Sequence, residues 1–177
     1  MTAARFGLVF FALFVSNPLT PAAWGQGLGG GGLGAATVEM VGINTAGRGA
    51  EGVEPGGLLL FGGQLFFSGE SAMGRELWVS DGTAGGTQVF ADLMPGALGS
   101  QPQELVAAGS RFFFRAWDEA HGYELWTSDG TAGGTSRVTD GAPGAASFTP
   151  QLLTHLGSDL FYSATEDDQH YRLWKTD

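Results

Sequence analysis

The segment Glu76-Leu77-Trp78-Val79-Ser80-Asp81-Gly82-Thr83-Ala84-Gly85-Gly86-Thr87 returns, with one substitution, as residues Glu124–Thr135. A third copy opens at Arg172-Leu173-Trp174-Lys175-Thr176-Asp177. Trp78, Trp126 and Trp174 are 48 residues apart. Self-similarity at a period of this length marks a solenoid, propeller or array, in which each unit is one supersecondary element that cannot bury its apolar surface alone. This constrains the fold more than any other feature of the chain.

The interior of each repeat reads as strands. In the second copy, Glu104 to Ala108 is a first strand and Gly109-Ser110 a tight turn. Arg111 to Ala116 is an aromatic second strand, followed by a loop from Trp117 to Gly122. Tyr123 to Ser128 is a third strand, Asp129 to Gly134 a turn, and Thr135 to Thr139 a fourth strand. The first copy gives Leu58–Phe61, Gln64–Ser68, Arg75–Ser80 and Thr87–Leu93. The third gives Gln151–His155, Asp159–Ala164 and Tyr171–Thr176, with no fourth strand. Short strands separated by Gly, Asp and Ser turns predict a four-stranded antiparallel meander. Such a sheet buries both faces only by stacking on others around an axis, which is the arrangement of a β-propeller. The doublets Phe66-Phe67, Phe113-Phe114 and Phe161-Tyr162 are expected to fill the gaps between blades. The fold class is therefore all-β: a propeller-like array of four-stranded blades in an incomplete ring.

Ahead of the repeats, Arg5 precedes an apolar run from Phe6 to Val15, then Pro18, Pro21, Ala22 and Ala23. This is the layout of a secretory signal peptide, with cleavage expected after Gly25. The run is too short for a membrane span of about 20 residues. The organisation is then 1–25 signal peptide and 26–36 glycine-rich linker. Residues 37–57 hold a strand, Thr37 to Ile43, that would complete a blade, plus a loop. Blade 1 covers 58–102, blade 2 covers 103–150, and a shortened blade 3 covers 151–177. Propellers have about four to eight blades. The sequence therefore reads as a piece of a longer ring, or as one chain of a ring closed by two copies head to tail.

Composition narrows the chemistry. There is no cysteine, which removes disulfides, thiolate metal sites and a cysteine nucleophile. The formal net charge of −10 argues against nucleic acid and anionic membranes as partners. The 31 glycines exceed the usual share of about 7% and, alongside 13 phenylalanines, point to a turn-rich β protein.

Within the motif, Asp-Gly favours a tight turn because both residues tolerate positive φ. In Ser80-Asp81-Gly82-Thr83 and Ser128-Asp129-Gly130-Thr131 the aspartate carboxylates are expected to accept backbone N–H bonds within the loop. Glu76 and Glu124 are expected to pair with a neighbouring donor, and Trp78 and Trp126 to bury between blades or beneath a turn. Trp174 and Asp177 hold the same places in the third copy. These residues resemble the ELWxxDGT repeat of secreted and surface-exposed bacterial proteins, some described as hyalin-like. Two copies match it fully, together with Ala-Gly-Gly-Thr and the connectors Pro95-Gly96 and Pro143-Gly144. The third copy has Arg172 in place of Glu. The resemblance spans about residues 58–177 and implies a propeller-like fold in an exported protein, secreted or at the cell surface. It carries over no catalytic residue.

The leading functional expectation is a non-catalytic binding or scaffold module whose partner is a protein or glycan, with self-association through exposed blade faces. The loops 68–74, 117–122 and 165–170 are the expected recognition surface. Trp117 is the first choice for a ligand contact as an exposed ring that would stack on a sugar, with His121 and His170 beside it. Two alternatives follow from the acidic residues. One is a glycan-active enzyme using Glu166, Asp167 or Asp168, although adjacent acids do not set the separation that glycoside chemistry needs. The other is a calcium-stabilised structural repeat with Asp81 and Asp129 as oxygen ligands. The motifs of serine hydrolases, phosphate-binding loops and zinc proteases are missing.

Overall fold

The aromatic residues of the repeats sit on strands where successive side chains point to opposite faces, so each doublet serves two interfaces. In the computed structural model, which describes residues 54–142, 144–167 and 169–177, eleven strands form three antiparallel sheets. The expected signal peptide, glycine-rich linker and Thr37–Ile43 strand lie outside the described residues. Sheet 1 contains β1 (Gly56–Phe61), β2 (Gln64–Ser71), β3 (Gly74–Ser80) and β4 (Gln88–Ala91) in sequential order. Sheet 2 repeats it with β5 (Gln103–Ala108), β6 (Arg111–Asp118), β7 (Gly122–Ser128) and β8 (Ser136–Arg137). Sheet 3 has β9 (Gln151–Leu156), β10 (Asp159–Ala164) and β11 (Arg172–Thr176).

The registers are equivalent. Phe67 faces Trp78, Phe114 faces Trp126, and Tyr162 faces Trp174. Between sheets 1 and 2, Phe66, Leu77 and Val79 pack on Phe112, Phe114 and Ala116, with Phe61, Leu105 and Trp126 at the margin. The Phe66 and Phe112 ring centres are 4.7 Å apart. Phe113 and Leu125 face the other way and join Phe148, Leu153, Leu160 and Tyr162 between sheets 2 and 3. The first strands lie side by side, β1 against β5 and β5 against β9. Phe67 and Trp78 occupy the face of sheet 1 turned away from sheet 2, grouped with Leu65 and Val89.

Two expectations need correction. The fourth strand of the second repeat is not Thr135–Thr139 but only Ser136–Arg137. Ala132–Gly134 form a single 3-10 turn capped by Thr131, and the amides of Val138 and Thr139 both turn to the carbonyl of Leu125. The hydroxyl of Thr139 is meanwhile drawn to Glu124, so the ladder cannot continue. The loops expected at 68–74 and 117–122 are shorter than expected, because β2 runs to Ser71 and β6 to Asp118.

A bulge recurs in each first strand, where the register of β1, β5 and β9 shifts. The residues there with positive φ are Gly57 (60°), Glu104 (56°) and Leu152 (57°). Only the first is glycine, and a left-handed conformation costs other residues about 1–2 kcal/mol. At Glu104 the side chain gains an inter-sheet bond, since Oε2 accepts from the backbone amide of Leu153 at 3.0 Å.

Phe112 is fully buried and touches Phe61, Phe66 and Phe114. Phe112→Ala is expected to cost about 3–5 kcal/mol, measured by urea unfolding. A cost below about 1 kcal/mol, the scale of a tolerated volume-conserving swap, would show that sheets 1 and 2 do not share this core.

Candidate functional site

The motif folds into the same hydrogen-bonded loop twice. Asp81 Oδ1 accepts from the amide and hydroxyl of Thr83 at 2.9 and 2.7 Å, and Asp129 does the same with Thr131 at 2.9 and 2.7 Å. Thr83 Oγ1 accepts from Gly86 N, and Thr131 Oγ1 from Gly134 N. The amides of Gly82 and Gly130 donate to Ser80 and Ser128, and both glycines hold φ near 90°. A Cβ on Gly86 or Gly134 would fall 2.0 or 2.1 Å from the aspartate oxygen, so a side chain at the second glycine of Ala-Gly-Gly-Thr would displace the carboxylate from its place in the loop. The hydroxyls of Thr83 and Thr131 hold these exposed carboxyls below the usual range, with help from the same residues' amides.

One strand earlier, the motif glutamates are fully buried. Glu76 Oε1 accepts from Ser100 N at 2.7 Å, and Oε2 from Ser100 Oγ at 2.6 Å and Leu93 N at 3.1 Å. The carboxylate thus ties the connector between sheets 1 and 2 to β3. Glu124 Oε2 accepts from Thr139 Oγ1 and from Gly141 N at 3.4 Å, while its Oε1 is buried without a partner. The cause is a substitution. The amides of Gln101 and Thr149 donate to the carbonyls of Arg75 and Tyr123, which aligns Ser100 with Phe148. A phenyl ring there gives no hydroxyl, and the Phe148 amide goes to Tyr123 O instead. Burial raises both glutamates above their ordinary range, most directly by desolvating the charge.

The tryptophans divide similarly. Trp78 Nε1 donates to Gly69 O at 3.0 Å and Trp174 Nε1 to Ala164 O at 3.3 Å, whereas Trp126 Nε1 is buried and unpartnered. Asp177 is exposed at its equivalent position.

The ligand-contact candidates lie at or beside the turns joining second and third strands. Trp117 is not an exposed loop residue: it lies within β6, half-buried, paired with Tyr123. Its amide donates to Ser100 O at 2.7 Å, which extends the strand beyond the expected boundary. His121 is held by Asp118, whose Oδ1 meets Nδ1 at 2.7 Å and also accepts the amides of Ala120 and His121. His170 is held the same way by Asp167 at 3.0 Å. The Asp167 carboxyl is held far below the usual range, first by the His170 ring, then by the amides of Gln169 and His170 and the Thr165 hydroxyl. Each histidine thus serves its own loop, and the described residues hold no group of three or more His, Cys, Asp or Glu suited to a metal ion. Asp168 lies outside the described residues.

Sequence reasoning passed over Arg115 and Tyr123. The Arg115 guanidinium lies 5.2 Å from the centre of the Tyr123 ring. Its Nη1 donates to Pro150 O at 3.3 Å, its Nη2 donates to Gln103, and its Nε is buried without a partner. The alternation Phe113–Arg115–Trp117 was the available signal, since it puts all three on one face of β6. Trp117, Tyr123 and Arg115 form an aromatic–cationic patch that the other repeats lack. No protein-family model, curated protein or solved structure matches this chain.

In Glu76→Gln the amide nitrogen faces a backbone N–H in either orientation, so a loss of about 1–3 kcal/mol is expected. Glu124→Gln can turn its nitrogen to the unpartnered side and is expected to cost less, with urea unfolding at neutral pH as the comparison. Both glutamates bind protons more tightly folded than unfolded. Their contribution is therefore complete below the ordinary glutamate range and is lost as pH rises through the raised folded value. Glu124→Gln should flatten that fall. Asp81, Asp129 and Asp167 act in the opposite sense, and their contribution is lost as pH drops through the lowered folded values. Equal costs for the two substitutions would contradict the different pairing of the two carboxylates.

Proposed function

We propose that this chain is a non-catalytic binding or scaffold module of an exported protein, built from ELWxxDGT-type repeats arranged as blades of a propeller-like ring. The observation that carries this reading is the internal use of the motif's chemistry. Asp81 and Asp129 serve their own turns, Glu76 and Glu124 serve the connectors, and His121 and His170 serve their own loops. What varies between repeats is the rim, and the richest rim surface is Trp117, Tyr123 and Arg115 of the second repeat.

That patch suits a partner with a flat, weakly polar face and hydroxyl or carboxylate oxygens, as in a glycan. An aromatic ring takes the apolar face of a sugar ring, and a guanidinium adds directed N–H donors. Glycan-array binding to the purified chain tests this. Trp117→Ala is expected to weaken binding about tenfold, equivalent to ~1.4 kcal/mol, with an unchanged circular dichroism spectrum. Unchanged binding by the variant would remove the patch from the proposal. Turnover of any glycan that depends on Glu166 would favour the enzyme reading instead.

The calcium alternative has its own check. In each motif loop the aspartate Oδ1 already accepts an amide and a hydroxyl of its own turn, so EDTA is expected to leave the melting temperature unchanged. A fall of several degrees would assign the Asp81 and Asp129 loops to an ion, since a ligand bound only by the folded state raises stability by mass action.

A further inference from the structure

An Asp-Gly step can rearrange its own backbone. The glycine nitrogen attacks the aspartate Cγ, a C–N bond forms, and the carboxyl hydroxyl leaves with the amide proton as water. The cyclic imide then takes water back at either carbonyl. Addition at the backbone carbonyl leaves the chain running through the aspartate β-carbon, an isoaspartyl linkage. Water is the only co-reactant. Glycine favours the attack because it carries no Cβ to hinder it. The chain has three such steps, Asp81-Gly82, Asp129-Gly130 and Asp140-Gly141.

The motif loops close two of them to this route. In the imide, Cγ stands where the glycine N–H was, so that amide must be free and the carboxyl must swing back to it. The Gly82 and Gly130 amides are instead bonded to Ser80 and Ser128 Oγ at 3.0 and 3.1 Å. Both carboxyls point onward, to the amide and hydroxyl of Thr83 or Thr131, and lie against Gly86 or Gly134. The same threonines hold them below the usual range, which depletes the neutral acid that loses water. Asp140-Gly141 is held far less. It lies between β8 and β9, outside any strand. The Asp140 side chain is 55% exposed and, among the described residues, meets only Arg137 Nη2, at 3.9 Å. The Gly141 amide reaches Glu124 Oε2 at 3.4 Å, longer than an ordinary N–H···O bond.

We infer that Asp140-Gly141 is a site of spontaneous isoaspartate formation in the folded protein, while the two motif Asp-Gly steps are kept intact by their own loops. The product acts on the sheets. Gly141 N is bonded to buried Glu124, and a Cβ at Gly141 would fall 2.3 Å from the Phe148 ring. An extra backbone methylene at this point therefore disturbs the anchor of β7 and the ring that packs between sheets 2 and 3. A close-packed interior transmits such a change because it has little free space to absorb it. The connector between these sheets weakens as the protein ages.

Incubation of the full chain in warm neutral buffer, followed by tryptic mapping, tests the inference. Trypsin places the three steps in separate peptides, 76–111, 116–137 and 138–172, and electron-transfer fragmentation identifies an isoaspartyl linkage in each. In the folded chain, 138–172 is expected to convert about tenfold faster than the other two, a barrier difference of ~1.4 kcal/mol. Unfolded in guanidinium chloride, the three are expected to convert at similar rates, since each is then an Asp-Gly step in open chain. The urea midpoint of the parent is expected to fall as 138–172 converts, and that of Asp140→Ser to stay constant over the same incubation. Equal rates in the folded chain would overturn the inference. So would faster conversion of a motif step, or an Asp140 step that converts only when the chain is unfolded. A parent midpoint that holds while 138–172 converts would overturn the effect on the sheets.

Discussion

Everything in this fold depends on aromatic side chains packing between sheets, with Phe66 against Phe112 at the centre of the first interface. A strand that carries two adjacent aromatics must send them to opposite faces. Each sheet is therefore apolar on both sides and needs a neighbour on both. Sheet 2 has them, with Phe112 and Phe114 turned to sheet 1 and Phe113 turned to sheet 3. In sheet 3, Leu173 at the motif position is exposed, whereas on the face of sheet 1 turned away from sheet 2 Phe67 and Trp78 are buried with Leu65 and Val89.

The polar part of the motif holds the spacing that this packing requires. A fully buried carboxylate is a costly anchor unless its oxygens are bonded. Glu76 meets that condition through Ser100 and Leu93. In the second repeat Phe148 stands where Ser100 stands in the first. The ring gains contacts with Tyr162 and Trp174 at 6.4 and 5.1 Å, and Glu124 Oε1 loses its donor. Burial of a phenylalanine is worth roughly 1.5–3 kcal/mol, comparable with the ~1–3 kcal/mol cost of one unsatisfied buried group. The two repeats thus reach similar folds through different balances of packing and hydrogen bonding.

The same bonding role, closing the loop after the second strand, is taken by Ser71, Asp118 and Asp167 in the three repeats. Each bonds amides of its own turn: Met73 for Ser71, Ala120 and His121 for Asp118, and Gln169 and His170 for Asp167. Side chains so engaged stabilise the scaffold. Beside them, Trp117 and Arg115 have no counterpart in the other repeats, and Arg115 is itself bonded to Pro150 and Gln103.

The 48-residue period, the strand order and the Asp-Gly-Thr turns were legible in the sequence because they are local. Alternation, turn residues and side-chain reach within a few positions decide them, and the aspartates accept backbone N–H bonds within their loops as expected. The shortening of β8, the half-burial of Trp117 and the orphaned oxygen of Glu124 were not legible, since each depends on a connector returning from 15 or more residues away. The left-handed turns at Glu104 and Leu152 were hidden too, because only Gly57 announces that conformation by residue type. Sequence alone determined that this chain is a repeating all-β array with doubly apolar sheets. Tertiary structure alone decided which of its chemically identical leucines are buried, because burial belongs to the neighbouring sheet and not to the residue.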